Sequence, residues 1–136
     1  MSLVYLDTSA VLRATLESGT TPDVESRVAL AEAMLTSRLS LVEASRSLIR
    51  AQQIGRISEK QRVDAERQID GIFARCHVWE ISRAVCERAS TVAPRTGLTT
   101  LDAIHLATLL EARRRTGTEI ELLTADKRLA NAYLAL

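Results

Sequence analysis

The stretch Leu3-Val4-Tyr5-Leu6-Asp7-Thr8-Ser9 decides the fold of this chain. Its first four residues are apolar or aromatic, which predicts a strand buried on both faces of a sheet. The apolar run ends at a carboxylate, and a helical pattern begins at Ala10. Open α/β sheets place their chemistry at the carboxyl ends of the strands. Asp7 is therefore the first candidate functional residue.

The composition predicts one globular domain over residues 1–136, with 46% hydrophobic and 26% charged residues. No run approaches the ~18 uncharged apolar residues of a membrane span, and no basic-then-apolar leader opens the chain. We therefore expect no membrane association and a cytoplasmic protein. The net charge of +1 neither favours nor excludes a nucleic-acid partner. Only Lys60 and Lys127 of the 18 basic residues are lysines, which is compatible with RNA binding, although codon bias explains it more simply.

Three further strands are predicted at residues 34–36, 76–81 and 120–124, each separated from the next by helical patterns. Strands that alternate with helices pair in parallel through right-handed crossovers. The remaining helices are predicted to begin near these residues: Pro22, Ser40, Ser58, Ser82, Thr99 or Thr100, and Asp126. Ser58-Glu59-Lys60-Gln61 fits a capping box. The apolar stripes of the helices around residues 24–35 and 63–73 are expected to complete the core. A dimer seam or a groove for a partner helix remains open for both stripes.

Four acidic residues stand near predicted helix starts: Asp7, Glu43, Asp102 and Asp126. Each has an ordinary structural explanation when considered alone. Asp7 fits an N-cap, and Asp126 fits the positive end of a helix dipole. Two segments fit capping boxes: Ser40-Leu41-Val42-Glu43 and Thr99-Thr100-Leu101-Asp102. Single acids at these places therefore do not indicate a site.

The four acids indicate a possible site when they are considered together. A parallel sheet brings Asp7 and Asp126 to one edge, where the helices of Glu43 and Asp102 can also start. Two carboxylates about 4 Å apart repel by about 4 kcal/mol at an effective dielectric constant of 20. Either their pKa values rise, or a cation lies among them. Oxygen ligands without His or Cys suit Mg²⁺ or Mn²⁺, and such ions serve phosphoryl chemistry.

Four motifs occur in the order that is typical of PIN-domain proteins, and the size of the chain resembles that of free-standing VapC-type toxins. The motifs are Leu6-Asp7-Thr8-Ser9-Ala10, Ser40-x-x-Glu43, Leu101-Asp102-Ala103-Ile104-His105-Leu106-Ala107 and Leu123-Thr124-Ala125-Asp126-Lys127-Arg128-Leu129-Ala130. The resemblance implies a three-layer α/β/α sandwich with a central parallel sheet of four or five strands. It also implies a metal-dependent endoribonuclease that forms a homodimer and is inhibited by a small antitoxin protein.

The resemblance assigns roles to individual residues. Asp7, Glu43, Asp102 and Asp126 match the acidic quartet of the family, which implies that they hold Mg²⁺ or Mn²⁺ and catalyse cleavage of RNA by a metal-activated water. Thr8, Ser9 and Thr124 match the hydroxyl positions that orient these carboxylates or waters. Whether one or two ions bind, and whether Asp126 acts directly or through water, is open.

Three basic residues near the acids have two interpretations each. Arg46 and Arg50 share a helix face with Glu43, so they are candidates for binding the RNA backbone; the alternative is a surface ion pair between Glu43 and Arg46. His105 lies one turn beyond Asp102. A histidine that is merely hydrogen-bonded within the fold is favoured there over a general base.

Two other functions compete with the nuclease. A non-catalytic interaction module would use the acids only to cap helices. A phosphatase with an aspartyl nucleophile would also begin with a strand that ends in Asp, but its second acid is replaced here by Ser9. The missing acid disfavours the phosphatase. Nothing in the residues themselves distinguishes RNA from DNA as the substrate.

Overall fold

The computed structural model describes residues 3–136, so that Met1 and Ser2 of the predicted domain lie outside the described residues. The sheet contains four strands in the spatial order β3-β2-β1-β4. The strands are β1 (Leu3–Leu6), β2 (Ala33–Ser37), β3 (Cys76–Trp79) and β4 (Ile120–Leu123). All three neighbouring pairs are parallel, as predicted. Val4, Tyr5 and Leu6 of β1 are buried, so the interpretation of its apolar run as a buried strand is confirmed. β1 also has a partner strand on each side.

Seven helices connect and cover these strands within residues 3–136. They are α1 (Thr8–Arg13), α2 (Pro22–Leu30), α3 (Arg38–Gln53), α4 (Glu59–Ala74), α5 (Arg83–Ala89), α6 (Thr100–Thr116) and α7 (Lys127–Leu134). None of these helices has the length and apolar character needed to cross a bilayer.

The helices form one layer on each face of the sheet, which confirms the predicted α/β/α sandwich. Val4 and Leu6 of β1 belong to a core cluster with buried residues of α1 to α4. Tyr5 points the other way, into a second cluster with Leu109 and Ala112 of α6. This alternation follows from the two-residue period of a strand. The apolar stripes of α2 and α4 lie in the first cluster, so their default assignment to the core is correct.

The start of α3 differs from the prediction. Ser37 is the N-cap, and its hydroxyl accepts a hydrogen bond from the Leu39 amide at 3.0 Å. Ser40 is buried inside the helix, and its hydroxyl oxygen lies 2.7 Å from that of Thr36. The predicted capping box from Ser40 to Glu43 is therefore wrong, because an earlier hydroxyl residue ends β2 and takes the capping position. Glu43 lies in the second turn of α3 instead.

Other helix and strand boundaries differ from the predicted ones by a few residues. α1 begins at Thr8 rather than Ala10, because the Asp7 carboxylate caps it by accepting from the Ala10 amide. β3 ends at Trp79, and α5 ends at Ala89 rather than near Pro94. The capping box that begins at Ser58 is formed as predicted. At the start of α6, the Thr99 hydroxyl accepts from the Asp102 amide, which is the N-cap half of the predicted box.

Candidate active site

Asp7 lies at the carboxyl end of the central strand, and only 4% of its surface is exposed. Its Oδ1 accepts hydrogen bonds from the Ala10 amide at 3.0 Å and the Ser9 hydroxyl at 2.7 Å. Its Oδ2 accepts from the Thr124 hydroxyl at 2.6 Å. Three donors from α1 and the end of β4 thus hold this carboxylate in one orientation.

The charge of Asp7 is only partly compensated. Burial raises the pKa of Asp7, while the hydrogen bonds from Thr124, Ser9 and Ala10 oppose that rise without cancelling it. Within residues 3–136, no Lys or Arg forms an ion pair with this carboxylate. A buried carboxylate without a cationic partner is the arrangement that a bound cation would stabilise.

The hydroxyls around Asp7 join three segments that are distant in the sequence. The Ser9 oxygen accepts from the Ala125 amide at 2.9 Å and lies 3.2 Å from the Thr124 oxygen. The Thr124 oxygen in turn accepts from the Asp126 amide at 2.9 Å. The parallel register, in which Leu6 lies beside Leu123, brings these residues to the same edge of the sheet.

Glu43 reaches the same edge from α3. Its Oε1 accepts a hydrogen bond from the Thr8 hydroxyl at 2.6 Å and lies 2.8 Å from Nε2 of His105. Burial acts to raise the pKa of Glu43, but the hydrogen bonds from His105 and Thr8 outweigh it and hold the pKa below its ordinary value. The ion pair between Glu43 and Arg46, offered above as an alternative, is absent among the described residues, because Glu43 turns toward His105 instead.

Asp102 and Asp126 occupy the starts of α6 and α7. Asp102 lies in the first turn of α6, and its amide donates to the Thr99 hydroxyl at 3.2 Å. Asp126 is the N-cap of α7, and its Oδ1 accepts from the amides of Arg128 at 2.9 Å and Leu129 at 3.4 Å. Both residues are partly exposed, and one Asp126 oxygen already serves the helix.

Hydrogen bonds through Thr8 and Thr124 connect Asp7, Glu43 and the start of α7 at Asp126 on one edge of the sheet. Among residues 3–136, no hydrogen bond or ion pair connects the Asp102 carboxylate to them. Across residues 3–136, no three His, Cys, Asp or Glu side chains form a group that could hold a metal ion. The donor chemistry nevertheless fits a hard cation, because the candidates offer only carboxylate oxygens and the most buried of them lacks a cationic partner.

Arg46 and Arg50 lie on the outer side of α3. Both are exposed and line a shallow cavity of about 360 Å³ together with Ser47 and Gln53. Neither forms an ion pair with another of the described residues, so both guanidinium groups face solvent. This placement leaves them available to an anionic ligand.

Tyr5 contacts the site through His105, and the sequence interpretation did not connect it with the site. It is fully buried, and its hydroxyl lies 2.8 Å from Nδ1 of His105. The available signal was the phenol itself, since a tyrosine in a strand buried on both faces must find a hydrogen-bond partner. His105 is buried and hydrogen-bonded, as the favoured interpretation of this residue predicted.

These observations define an α/β/α protein with an acidic, hydroxyl-lined site at the carboxyl edge of a parallel sheet. The PIN domain family matches residues 4–134, and the chain belongs to that family.

Two curated relatives come from Mycobacterium tuberculosis. Ribonuclease VapC45 of strain CDC 1551 / Oshkosh is 33% identical over 116 residues, covering 81% of this chain and 76% of the relative. Ribonuclease VapC49 of strain H37Rv has the same identity and coverage. This chain is therefore similar over most of its length to two proteins named as ribonucleases.

Solved structures support the fold. PAE2754 from Pyrobaculum aerophilum has a TM-score of 0.66 at 20% identity, covering 97% of this chain and 79% of that one. A toxin–antitoxin complex from Klebsiella pneumoniae has a TM-score of 0.55 at 18% identity, covering 86% and 82%. VapBC2 from Rickettsia felis, bound to a DNA fragment from its promoter, has a TM-score of 0.56 at 11% identity, covering 91% and 99%.

Proposed function

We propose that this protein is a metal-dependent endoribonuclease and the toxin of a toxin–antitoxin pair. The observation that carries the proposal is the buried, three-fold hydrogen-bonded carboxylate of Asp7 at the end of the central strand. Membership of the PIN domain family and similarity to two proteins named ribonuclease VapC support this assignment.

The residues that would hold Mg²⁺ or Mn²⁺ are Asp7, Glu43, Asp102 and Asp126. When bound, such an ion would lower the pKa of a water molecule and neutralise negative charge on a phosphate oxygen. Ser9 and Thr124 keep the Asp7 carboxylate in one orientation. Thr8 does the same for Glu43. Because no group of three acids is preformed within residues 3–136, ion binding is expected to draw the exposed acids toward Asp7.

We expect Mn²⁺ to raise the melting temperature of the protein and a chelator to abolish RNA cleavage. At an ion concentration 100 times the dissociation constant, binding stabilises the folded state by about 2.7 kcal/mol. For a chain of this size that corresponds to roughly 10 °C. Thermal melts with increasing MnCl₂, and cleavage of a structured RNA with Mg²⁺, Mn²⁺ or EDTA, measure both effects.

The matched control for the melts is Asp70→Asn, which removes an exposed acid of α4 and should leave the response to Mn²⁺ unchanged. RNA cleavage that continues in EDTA, together with a melting temperature that does not change with Mn²⁺, would contradict metal dependence.

A non-catalytic interaction module is the second candidate. The capping roles of Asp7 and Asp126 and the lack of a preformed three-residue metal group in the described part of the chain favour it. In that case the acids stabilise helix ends only. Mn²⁺ would then leave the melting temperature unchanged, and purified protein would not cut RNA.

Arg46 and Arg50 are proposed to bind the phosphate backbone of the RNA. We expect Arg46→Gln and Arg50→Gln each to weaken RNA binding and to lower the slope of log Kd against log salt by about 0.7, the value for one phosphate contact on a single strand. Fluorescence anisotropy in EDTA, at several salt concentrations, measures binding without cleavage. Arg67→Gln, which removes an exposed arginine of α4, is the control and should preserve the slope. Equal slopes for all variants would contradict the role.

The assembly of the protein is also a proposal. A small antitoxin partner is supported by the fold shared with the Klebsiella pneumoniae toxin–antitoxin complex and with VapBC2. Homodimerisation, a cytoplasmic location and a single domain over residues 1–136 follow from the family resemblance and the composition.

A further inference from the structure

We propose that Tyr5 and His105 are positioning residues that, together with Thr8, fix the Glu43 carboxylate for metal binding. This inference rests on the proposed function, because it concerns one of the proposed metal ligands. These contacts among Tyr5, His105, Thr8 and Glu43, which we call the relay, run from the centre of the sheet to the acidic edge. They join β1, α6, α1 and α3.

The direction of the hydrogen bonds follows from the chemistry of the groups. The Glu43 carboxylate only accepts, so Nε2 of His105, 2.8 Å from Oε1, must carry a hydrogen. In the neutral imidazole, Nδ1 then accepts from the Tyr5 hydroxyl at 2.8 Å. The Thr8 hydroxyl donates to the same Oε1 at 2.6 Å. Two donors therefore converge on one carboxylate oxygen.

The second carboxylate oxygen is left available. No donor of residues 3–136 bonds to Oε2 of Glu43, and the Glu43 side chain keeps 24% of its exposure, against 4% for the His105 side chain. The Tyr5 and His105 rings on the inner side of this contact are buried and pack edge to face, with centroids 6.0 Å apart and planes at 77°. Glu43 is thus anchored through one oxygen, while the other makes no hydrogen bond within residues 3–136.

Anchoring matters because a free glutamate loses side-chain entropy when it is immobilised. If the fold has already restrained the side chain, ion binding does not carry that cost. Partners that orient a ligand residue typically change metal affinity by about 10- to 100-fold when they are removed. The relay is expected to act on ion affinity in this range.

The test is the dissociation constant for Mn²⁺, measured by calorimetry and by the paramagnetic resonance of free Mn²⁺, without RNA. His105→Leu removes the donor to Glu43 and should weaken binding about 10- to 100-fold. His105→Gln keeps an N–H near the position of Nε2 and should recover most of that affinity. A histidine that only filled space would give the two variants similar affinities.

Tyr5→Phe examines whether the phenol acts through His105. It should weaken Mn²⁺ binding in the wild-type background and have no further effect in the His105→Leu background, because residues of one network are not additive. Thr15→Val is the matched control. It removes a buried hydroxyl that donates to the Val11 carbonyl at 2.8 Å, within α1 and the turn after it, and should alter stability without changing the affinity for Mn²⁺.

The outcomes separate the relay from the proposed function. Wild-type protein that binds no Mn²⁺ overturns the proposed function and the relay with it. Mn²⁺ binding that is the same in the wild type and in His105→Leu overturns the relay alone. If His105→Leu does not fold, Tyr5→Phe decides, because it removes only one hydroxyl: unchanged affinity for Mn²⁺ in that variant overturns the relay.

Discussion

Asp7→Asn is expected to reduce RNA cleavage by about 10³-fold while making the metal-free protein more stable. The loss in rate corresponds to roughly 4 kcal/mol of transition-state stabilisation, the scale of several kcal/mol that a catalytic metal ion provides. Initial rates on a structured RNA with Mg²⁺ and with Mn²⁺ measure it. Asp70→Asn, on the exposed side of α4, should cleave at the wild-type rate.

The gain in stability follows from the pKa of Asp7, which burial raises above its value in the unfolded chain. A carboxyl whose folded-state pKa is raised contributes stability below the unfolded-state pKa and loses it as the pH rises through the folded-state pKa. At neutral pH the ionised Asp7 therefore destabilises the metal-free fold. An asparagine cannot ionise; its oxygen can still accept from the Ala10 amide and its NH₂ group can donate to the Thr124 hydroxyl.

Melting temperatures measured without metal provide the test. Asp7→Asn should melt a few degrees above the wild type at pH 7, and the difference should disappear as the pH falls toward about 4, near the ordinary pKa of an aspartate. If the variant instead melts below the wild type at both pH values, the capping role of Asp7 outweighs its buried charge.

Leu109→Ala is expected to give the largest loss of stability among these variants. Leu109 is fully buried and lies in the core cluster with Tyr5, Leu35 and Ile120, where α6 packs on the sheet. Truncation of such a leucine costs about 2 to 5 kcal/mol, because the cavity closes only partly. The melting temperature should therefore fall by roughly 10 °C, as measured by calorimetry or circular dichroism.

The control for this variant is Leu134→Ala, which truncates the same side chain at a position of α7 that is 83% exposed. Its stability should remain within about 0.5 kcal/mol of the wild type. A similar destabilisation by both substitutions would mean that Leu109 does not secure α6 to the sheet.

Much of the fold was predictable because its signals are local. The apolar run from Leu3 to Leu6, ending at Asp7, indicated a buried parallel strand with an acid at its carboxyl end, and β1 has that form. The capping box at Ser58 and the cap at Thr99 depend on residues only three positions apart in the chain. Such patterns do not require knowledge of the tertiary contacts.

The start of α3 was predicted wrongly because three neighbouring residues had similar capping chemistry. Thr36, Ser37 and Ser40 each offer a hydroxyl near the start of α3, and any of them could cap a helix. The length of β2 decided among them, because pairing with β1 extends to Thr36 and the strand continues to Ser37. Sheet pairing is a contact between residues about 30 positions apart, which a local pattern does not record.

The sequence by itself determined the order of the elements, the parallel sheet and the position of Asp7 at its carboxyl edge, because strand and helix periodicity and cap chemistry are written in neighbouring residues. Only the tertiary structure decided how the acids are held: Asp7 by hydroxyls 2 and 117 positions away, and Glu43 by His105, 62 positions away. The orientation of a side chain depends on partners that folding brings together. For that reason the contact from Tyr5 to His105, which spans 100 positions, could be identified only in the folded chain.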